Sequence, residues 1–465
     1  EPRPDPGPAA PLVPGFVRRR ADAATVACLF AVALLIVPAR LVFRYLPLSL
    51  TPANVISLVA ALAWLLAQFT TTLGMAKGRN PVRTALFGYL TAMLATYGYA
   101  TYGYLPADEL NLADRAMVLI VAVVGLALLV CDGVRDLNRL DFLLKSVVVA
   151  GAIVAVIGAF QFVLDLDLTR YLRLPILQFT SEDAAVLERE DLRRVAATTG
   201  HPIEFGVVCA MLLPIAAHYG FRARERAEPA LRWWACTGLI AMGLMFSVSR
   251  SAMLCLGGVA LVLLLGWPAR RRLQALAVTG GFLVAVWLLV PGLLGTFYGL
   301  FANLGNDDSI RYRTHDYAVA AEQIARHPWL GRGVATWYAP KHQVFDNQYI
   351  LSAVEAGLIG ITVIVLMFLT ACYAALRARR LSPDPAVRDL GLSLAAALTV
   401  PLIGMVTFDL LSFATITGLT FLLLGASGAL LRAVTRPRPH TVSRRASAGR
   451  SADPAAGVRR PRVRP

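Results

Sequence analysis

The sequence predicts an all-α, polytopic membrane protein with about twelve transmembrane helices and one large outer loop. Three observations predict it. The 465 residues are 57% hydrophobic and only 16% charged, with a mean hydropathy of +0.61. A soluble globular chain is not that apolar. Apolar segments near the length of about 20 residues needed to cross a bilayer recur along the chain. The cations are also sorted, collecting in alternate connections between those segments.

The segments read as 22–43, 53–75, 83–104, 113–131, 143–165, 203–220, 232–247, 251–267, 273–300, 348–376, 388–407 and 411–432. The first is taken as full length and follows Arg18, Arg19 and Arg20, so it reads as a signal anchor rather than a cleaved signal peptide. The apolar run 232–267 is interrupted by SVSRSA at 247–252 and is read as two crossings. Arg222, Arg224, Arg226 and Arg232 precede that run, and Arg270, Arg271 and Arg272 follow it. Two crossings put both clusters on the cytoplasmic side, as the positive-inside rule prefers. Twelve crossings then leave both termini in the cytoplasm and two long loops, 166–202 and 301–347, outside. The Pro-rich tail 1–21 and the basic tail 433–465 are expected to be disordered around a membrane domain at 22–432.

The net charge of +16 is thereby a topology signal, with membrane lipids as partners and no nucleic acid. Tyr97, Tyr99, Tyr102 and Tyr104 end the third segment as an interfacial aromatic belt. The six cysteines fall in or beside apolar segments without metal-ligand spacing or a disulfide pattern, and read as small apolar residues.

The polar stretch 301–347 is the place to look for function, because a long loop on a membrane scaffold usually carries it. Arg311 and Arg313, in SIRYRTHDY, suit an anionic ligand such as a diphosphate, or pair with Asp307, Asp308 or Asp316. Tyr317, Ala320, Ala321 and Ile324 recur at helical spacing and predict a short amphipathic helix ended by His327-Pro328, with a turn at Gly331 and Gly333. Arg250 in SVSRSA stands at an outer helix tip and either faces a polar site or reaches to lipid headgroups. Asp346 opens the segment DNQYILSAVEAGLIG and reads both as its helix N-cap and as a general base. Gln348 and Glu355 share one face of that helix, and an acid two turns deep has to face the interior. His201 and Glu204 in TTGHPIEFG lie at the outer mouth of the sixth segment. His315, His327 and His342 lack metal-binding spacing, and Asp165 and Asp167 form a DxD triplet that can hold a metal–diphosphate. No metal and no cofactor are expected.

With these residues in place, the chain resembles the O-antigen ligase and O-antigen polymerase family. The likeness covers 198–360 and rests on four motifs in order: TTGHPIEFG, SVSRSA, RYRTHDY followed by ARHPWLGRG, and DNQYILSAVEAGLIG. The resemblance implies a metal-independent glycosyltransferase of the bacterial plasma membrane. Its donor is a glycan on a polyprenyl diphosphate and its acceptor a hydroxyl of a glycan or lipid-linked glycan. By position, Arg250 matches the family's SR arginine, and Arg313, with Arg311 as the alternative, matches its loop arginine. The ligases carry His-Asn where this chain has Asp346-Asn347, so Asp346 takes the place of the family's base, with His342 as a substitute. His201, Glu204, Asn347, His342 and Glu355 complete the expected substrate-binding set. A polytopic transporter is the alternative, but the polar residues gather at the outer face rather than at mid-membrane.

Overall fold

The structure is a computed structural model that describes residues 22–70, 78–172, 174–180, 186–189, 192–302 and 308–435. The tails 1–21 and 436–465 lie outside these residues. Among the described residues there are fourteen α-helices and two small antiparallel strand pairs, β1 (Leu41–Phe43) with β2 (Leu177–Phe179) and β3 (Val186–Arg189) with β4 (Leu192–Val195). The helices are α1 (Ala23–Ile36), α2 (Pro52–Phe69), α3 (Pro81–Tyr102), α4 (Ala107–Gly133), α5 (Leu137–Leu164), α6 (Pro202–Glu225) and α7 (Leu231–Phe246). They continue as α8 (Arg250–Gly266), α9 (Ala269–Leu289), α10 (Leu293–Ala302), α11 (Asp308–Arg326), α12 (Gln348–Leu381), α13 (Pro385–Gly404) and α14 (Ala414–Thr435).

All twelve predicted segments are represented by helices. Eight of these are long and apolar enough to cross a membrane, and α1, α7 and α8 are shorter apolar helices. At 22 residues α3 is long enough, but its Thr, Tyr and Gly residues make it less apolar. Several boundaries shift by a few residues, and three differences change the reading. The first segment is a helix of only 14 residues, because Pro38 lies just past its end. Residues Leu41–Phe43 instead form β1, which pairs with β2 (Leu177–Phe179), Leu41 opposite Phe179. The segment 273–300 is two helices, divided at Pro291 and Gly292, whose φ is 87°. Finally, residues 433–435, read as tail, are the last turn of α14.

Polar ties sort the helix ends into two groups, as alternating up and down helices require. At one end, Arg139 of α5 grips Asp22, the N-cap of α1, at 2.5 Å. At that end too, Asn80 donates to the Gly428 carbonyl of α14 and Arg379 of α12 to the Gly266 carbonyl of α8. At the other end, Arg332 meets Glu109 and the start of α6 meets the start of α14. The central helices are α6 and α14, whose spans are 83% and 89% buried, whereas α9 is 6% buried and stands at the periphery. So the motif-bearing start of α6 lies in the middle of the bundle.

The long loop is built into the bundle through a break in α12. Gly357 has φ 67° and ψ −170°, which stops the helical ladder there. The backbone of 328–333 fills the gap. Arg332 N donates to Val354 O at 3.0 Å and Gly333 N to Glu355 O at 2.9 Å. In return Leu358 N donates to Pro328 O at 2.8 Å and Ile359 N to Trp329 O at 3.2 Å. Irregular backbone is tolerated in a membrane helix only when protein groups satisfy it in this way. The joint needs glycine on both sides: a Cβ at Gly357 would stand 2.3 Å from Trp329 O, and one at Gly331 (φ 69°) would stand 2.3 Å from Glu355 O. We therefore expect Gly357→Ala to cost about 2 kcal/mol or more, from left-handed strain plus the clash. Gly281→Ala, which meets nothing within 4 Å, is the control. Thermal unfolding in detergent should show a lowered midpoint for the first and none for the second.

Candidate functional site

The predicted amphipathic helix is α11, and it begins earlier than the pattern suggested, so Arg311 and Arg313 lie on it rather than before it. Their side chains fall outside the described residues. Ala320 is buried while Ala321 is exposed, so the packed face is Val319, Ala320 and Ile324. It rests on Trp337, Phe345, Leu351 and Val354, a small apolar cluster separate from the main core. Tyr317, one turn after Arg313, lines a cleft of about 140 Å³ together with Phe345, Asp346, Asn347, Ile350, Val406 and Thr407.

Asp346 is not the N-cap of α12. Asn347 is, accepting from Tyr349 N at 2.9 Å and Ile350 N at 3.2 Å. That leaves Asp346 exposed in the cleft and relieved of capping. Its charge acts on two neighbours, His201 and Asp409. Burial, and then the Arg194 guanidinium, holds His201 below the ordinary histidine value while Asp346 pulls it the other way. Burial raises the Asp409 carboxyl, the Ser412 hydroxyl opposes this, and the charge of Asp346 adds to it. His201 Nδ1 accepts from Ile203 N at 3.1 Å as the N-cap of α6. A nitrogen used in that way leaves the neutral ring with its proton on Nε2, so His201 is a donor here and not a base.

His201 is delivered by a rigid platform. Gln161 of α5, fully buried, accepts from Ala197 N at 2.8 Å and donates to Ala197 O and to Asp167. Thr198 Oγ1 donates to the last turn of α1 at Leu35 O. Asp167 also holds Thr169 and pairs with Arg40 at 3.7 Å, while Asp165 pairs with Arg193 at 3.1 Å. The two carboxylates of the DxD triplet thus serve different structural partners. Among the described residues no group of three His, Cys, Asp or Glu side chains is placed to hold a metal.

Arg250 is the first residue of α8, after the N-cap Ser249. A Cβ at Gly206 would meet Ser247 Oγ at 2.3 Å and Ala252 Cβ at 2.7 Å, so α6 nests directly in the 247–252 turn. Arg194 of β4 (Leu192–Val195) donates to Ser247 O at 3.4 Å from the other side. Two arginines and a helix N-terminus therefore collect at this turn, a setting that favours an anion. Arg250 borders the α6 side of the group and is not part of the cleft lining.

Residues 235–365 match the family model described as O-antigen ligase. Over this stretch, 131 of the 465 residues, the chain is similar to the O-antigen ligase family. No curated protein matches the chain. The ligase-family stretch includes Arg250, α11, the glycine joint and Asp346, whereas His201, Arg194 and Asp409 lie outside it. Three residues expected at the site also make structural contacts. Glu204, 1% exposed, accepts from Gly200 N, Thr415 N and Ile416 N at 2.8, 2.7 and 3.0 Å. It caps α14 from α6. Glu355 carries the glycine joint on its carbonyl and accepts from Trp337 N with its carboxylate at 3.3 Å. His342 stacks on Trp337 at 4.3 Å and faces Glu109 at 3.6 Å. It belongs to the loop's attachment to α4.

The sequence reading missed Asp409 and Arg194. Each left a signal: a lone acid in the apolar run VTFDLLSF and an arginine pair just before TTGHPIEFG.

The histidines make stability pH-dependent. Burial first, then Arg332, holds His342 below the ordinary value of 6.5, and His201 is lowered as well. Depressed folded values mean that the unfolded chain binds protons first as pH falls. The contribution is therefore full above about pH 6.5 and lost as pH drops through the lowered folded values. The thermal midpoint should be lower at pH 5.5 than at 7.5, and His342→Phe, which keeps the ring stack, should shrink that difference.

Proposed function

We propose that the protein transfers a glycan from a polyprenyl-diphosphate carrier to an acceptor hydroxyl on the outer face of a bacterial plasma membrane, as a ligase or polymerase of the O-antigen ligase family. One observation carries the reading. The charge of Asp346 reaches both His201 and Asp409, and that of Arg194, which bonds Ser247 O beside Arg250, reaches His201, at one end of an apolar bundle and on the side of the helix that bears Arg311 and Arg313. Basic connections such as 222–232 and 268–272 lie at the opposite end. The positive-inside rule puts that end in the cytoplasm and the site outside, with twelve crossings and both termini cytoplasmic.

The chemistry is a displacement at the anomeric carbon. The acceptor oxygen forms the new glycosidic bond, and the bond from that carbon to the diphosphate oxygen breaks. The electron pair leaves with the diphosphate, whose growing charge is met by Arg250, by Arg194 and by the N-terminus of α8. Arg313, or Arg311, is the loop arginine that the family resemblance assigns to the same diphosphate. Asp346, exposed in the cleft, takes the acceptor's proton. Asp409, with its raised proton affinity, can receive that proton in turn. His201 donates through Nε2 to the reacting groups. The arginines supply the charge stabilisation, so the reaction proceeds without a divalent metal.

Three results test this reading. Arg250→Ala should lower transfer by about 10²–10³-fold, as for other lost donors to a developing anion. Arg250→Lys should recover little of it, since the planar fork is gone. Asp346→Asn should lower kcat by about 10²–10⁴-fold with an unchanged thermal midpoint, because Asn347 does the capping. Full activity in Asp346→Asn would remove it as the base. For sidedness, Val344→Cys should react with an impermeant thiol reagent on intact spheroplasts, and Ala269→Cys only after lysis. The reverse pattern would place the chemistry in the cytoplasm.

A further inference from the structure

We infer that Glu109, at the start of α4, is a positioning residue that sets the placement of Asp346 in the cleft. This inference rests on the reading of Asp346 as the acceptor-side base. The Glu109 side chain is 1% exposed, and a carboxylate that deep is costly unless it is paired. Its partners all come from the segment that leads into α12. Arg332 Nη2 bonds both oxygens at 2.7 and 2.8 Å. Lys341 Nζ lies at 2.7 Å and His342 Nε2 at 3.6 Å. The adjacent Asp108 accepts from Tyr338 Oη at 2.5 Å and Lys341 Nζ at 2.9 Å. The start of α4 therefore grips residues 332 and 341 together and closes the turn between them.

A stack of rings carries this grip to the cleft. His342 lies on Trp337 with centroids 4.3 Å apart and planes 14° apart. Trp337 lies on Phe345 at 5.2 Å and 8°. Phe345 lines the cleft beside Asp346. Trp337 is itself pinned, its Nε1 donating to Gln343 O at 2.7 Å and its backbone N to Glu355. The glycine joint already anchors 328–333 to α12, so Glu109 is not needed to hold that base of the loop. What it adds is a fixed position for the distal half, the half that ends at Asp346.

The test combines turnover with a readout that needs no turnover. Glu109→Gln and Glu109→Asp are purified in nanodiscs and assayed with lipid-linked donor and acceptor. Amide hydrogen exchange of 338–346 is followed in the same samples. Glu109→Gln should lower kcat by about 10–100-fold, the scale of a misplaced catalytic group, with the donor KM changed less than twofold. Exchange of 338–346 should quicken at least about tenfold while α12 beyond Gly357 keeps its protection. Glu109→Asp should recover part of both losses. If Glu109→Gln does not insert, Lys341→Met, at an exposed position, should shift both readouts in the same direction by less. Unchanged exchange in these variants overturns the inference, as does faster exchange with full kcat. If the wild-type protein transfers no glycan, the proposed function fails instead, and exchange alone then decides whether Glu109 orders the segment around Asp346.

Discussion

The break in α12 is the constraint on which the rest of the site depends. A helix interrupted at Gly357 leaves donors and acceptors without partners in an apolar surrounding, where each costs several kcal/mol. The HPWLGRG segment supplies those partners with its own backbone. The break and the loop therefore need each other, and neither can move while both are satisfied. From this joint the chain runs through the Trp337 stack to Phe345 and Asp346. The first part of α12 then ties to the end of α13 and the turn after it, through Gln348 N to Met405 O and Leu411 N to Gln348 Oε1. Those ties set the neighbourhood of Asp409.

The two halves of the site are held by different kinds of force. His201 rests on amide and hydroxyl hydrogen bonds at Gln161, Thr198 and Thr199, buried and with short reach. Such networks fix a position closely once every member is satisfied. Asp346 rests on buried stacked rings and on ion pairs that run from the buried Glu109–Arg332 to the exposed Asp108–Lys341. The exposed pair responds to pH and salt. The arrangement couples a stiff floor to a more yielding wall, with α11 resting on the wall through its small apolar cluster. A bulky glycan has to enter and leave between them.

Much of this was legible in the sequence, and the limits have physical causes. Runs of apolar residues report burial in lipid directly, so the helices could be read one by one. Their short ends could not, since Pro38 and Gly292 decide local stops within runs that remain apolar. The motifs TTGHPIEFG, SVSRSA and DNQYILSAVEAGLIG pointed to segments that do gather at one end. Their individual residues were harder to assign. Asp346 and Asn347 are both good N-caps, and only the backbone geometry distinguishes them. Glu204 and Glu355 looked like site acids because buried carboxylates usually serve chemistry. Here backbone amides satisfy them, from the start of α14 for Glu204 and from Trp337 of the loop for Glu355. Arg194, Asp409 and Glu109 act across long separations in sequence, which no local pattern encodes.

The capping of α14 by Glu204 has a consequence for assembly. The first turn of α14 carries orphan amides that its own sequence does not satisfy at Thr415 and Ile416, and the acceptor waits on α6. Chain synthesis delivers α6 well before α14. Without α14, Glu204 keeps only the Gly200 amide of its three backbone donors, and a carboxylate short of partners is costly to bury. Arrival of α14 relieves that state and fixes the helix start beside His201 in one event. The floor of the site is thus finished when α14 is delivered, and a chain cut short before residue 414 carries its defect at the centre of the bundle.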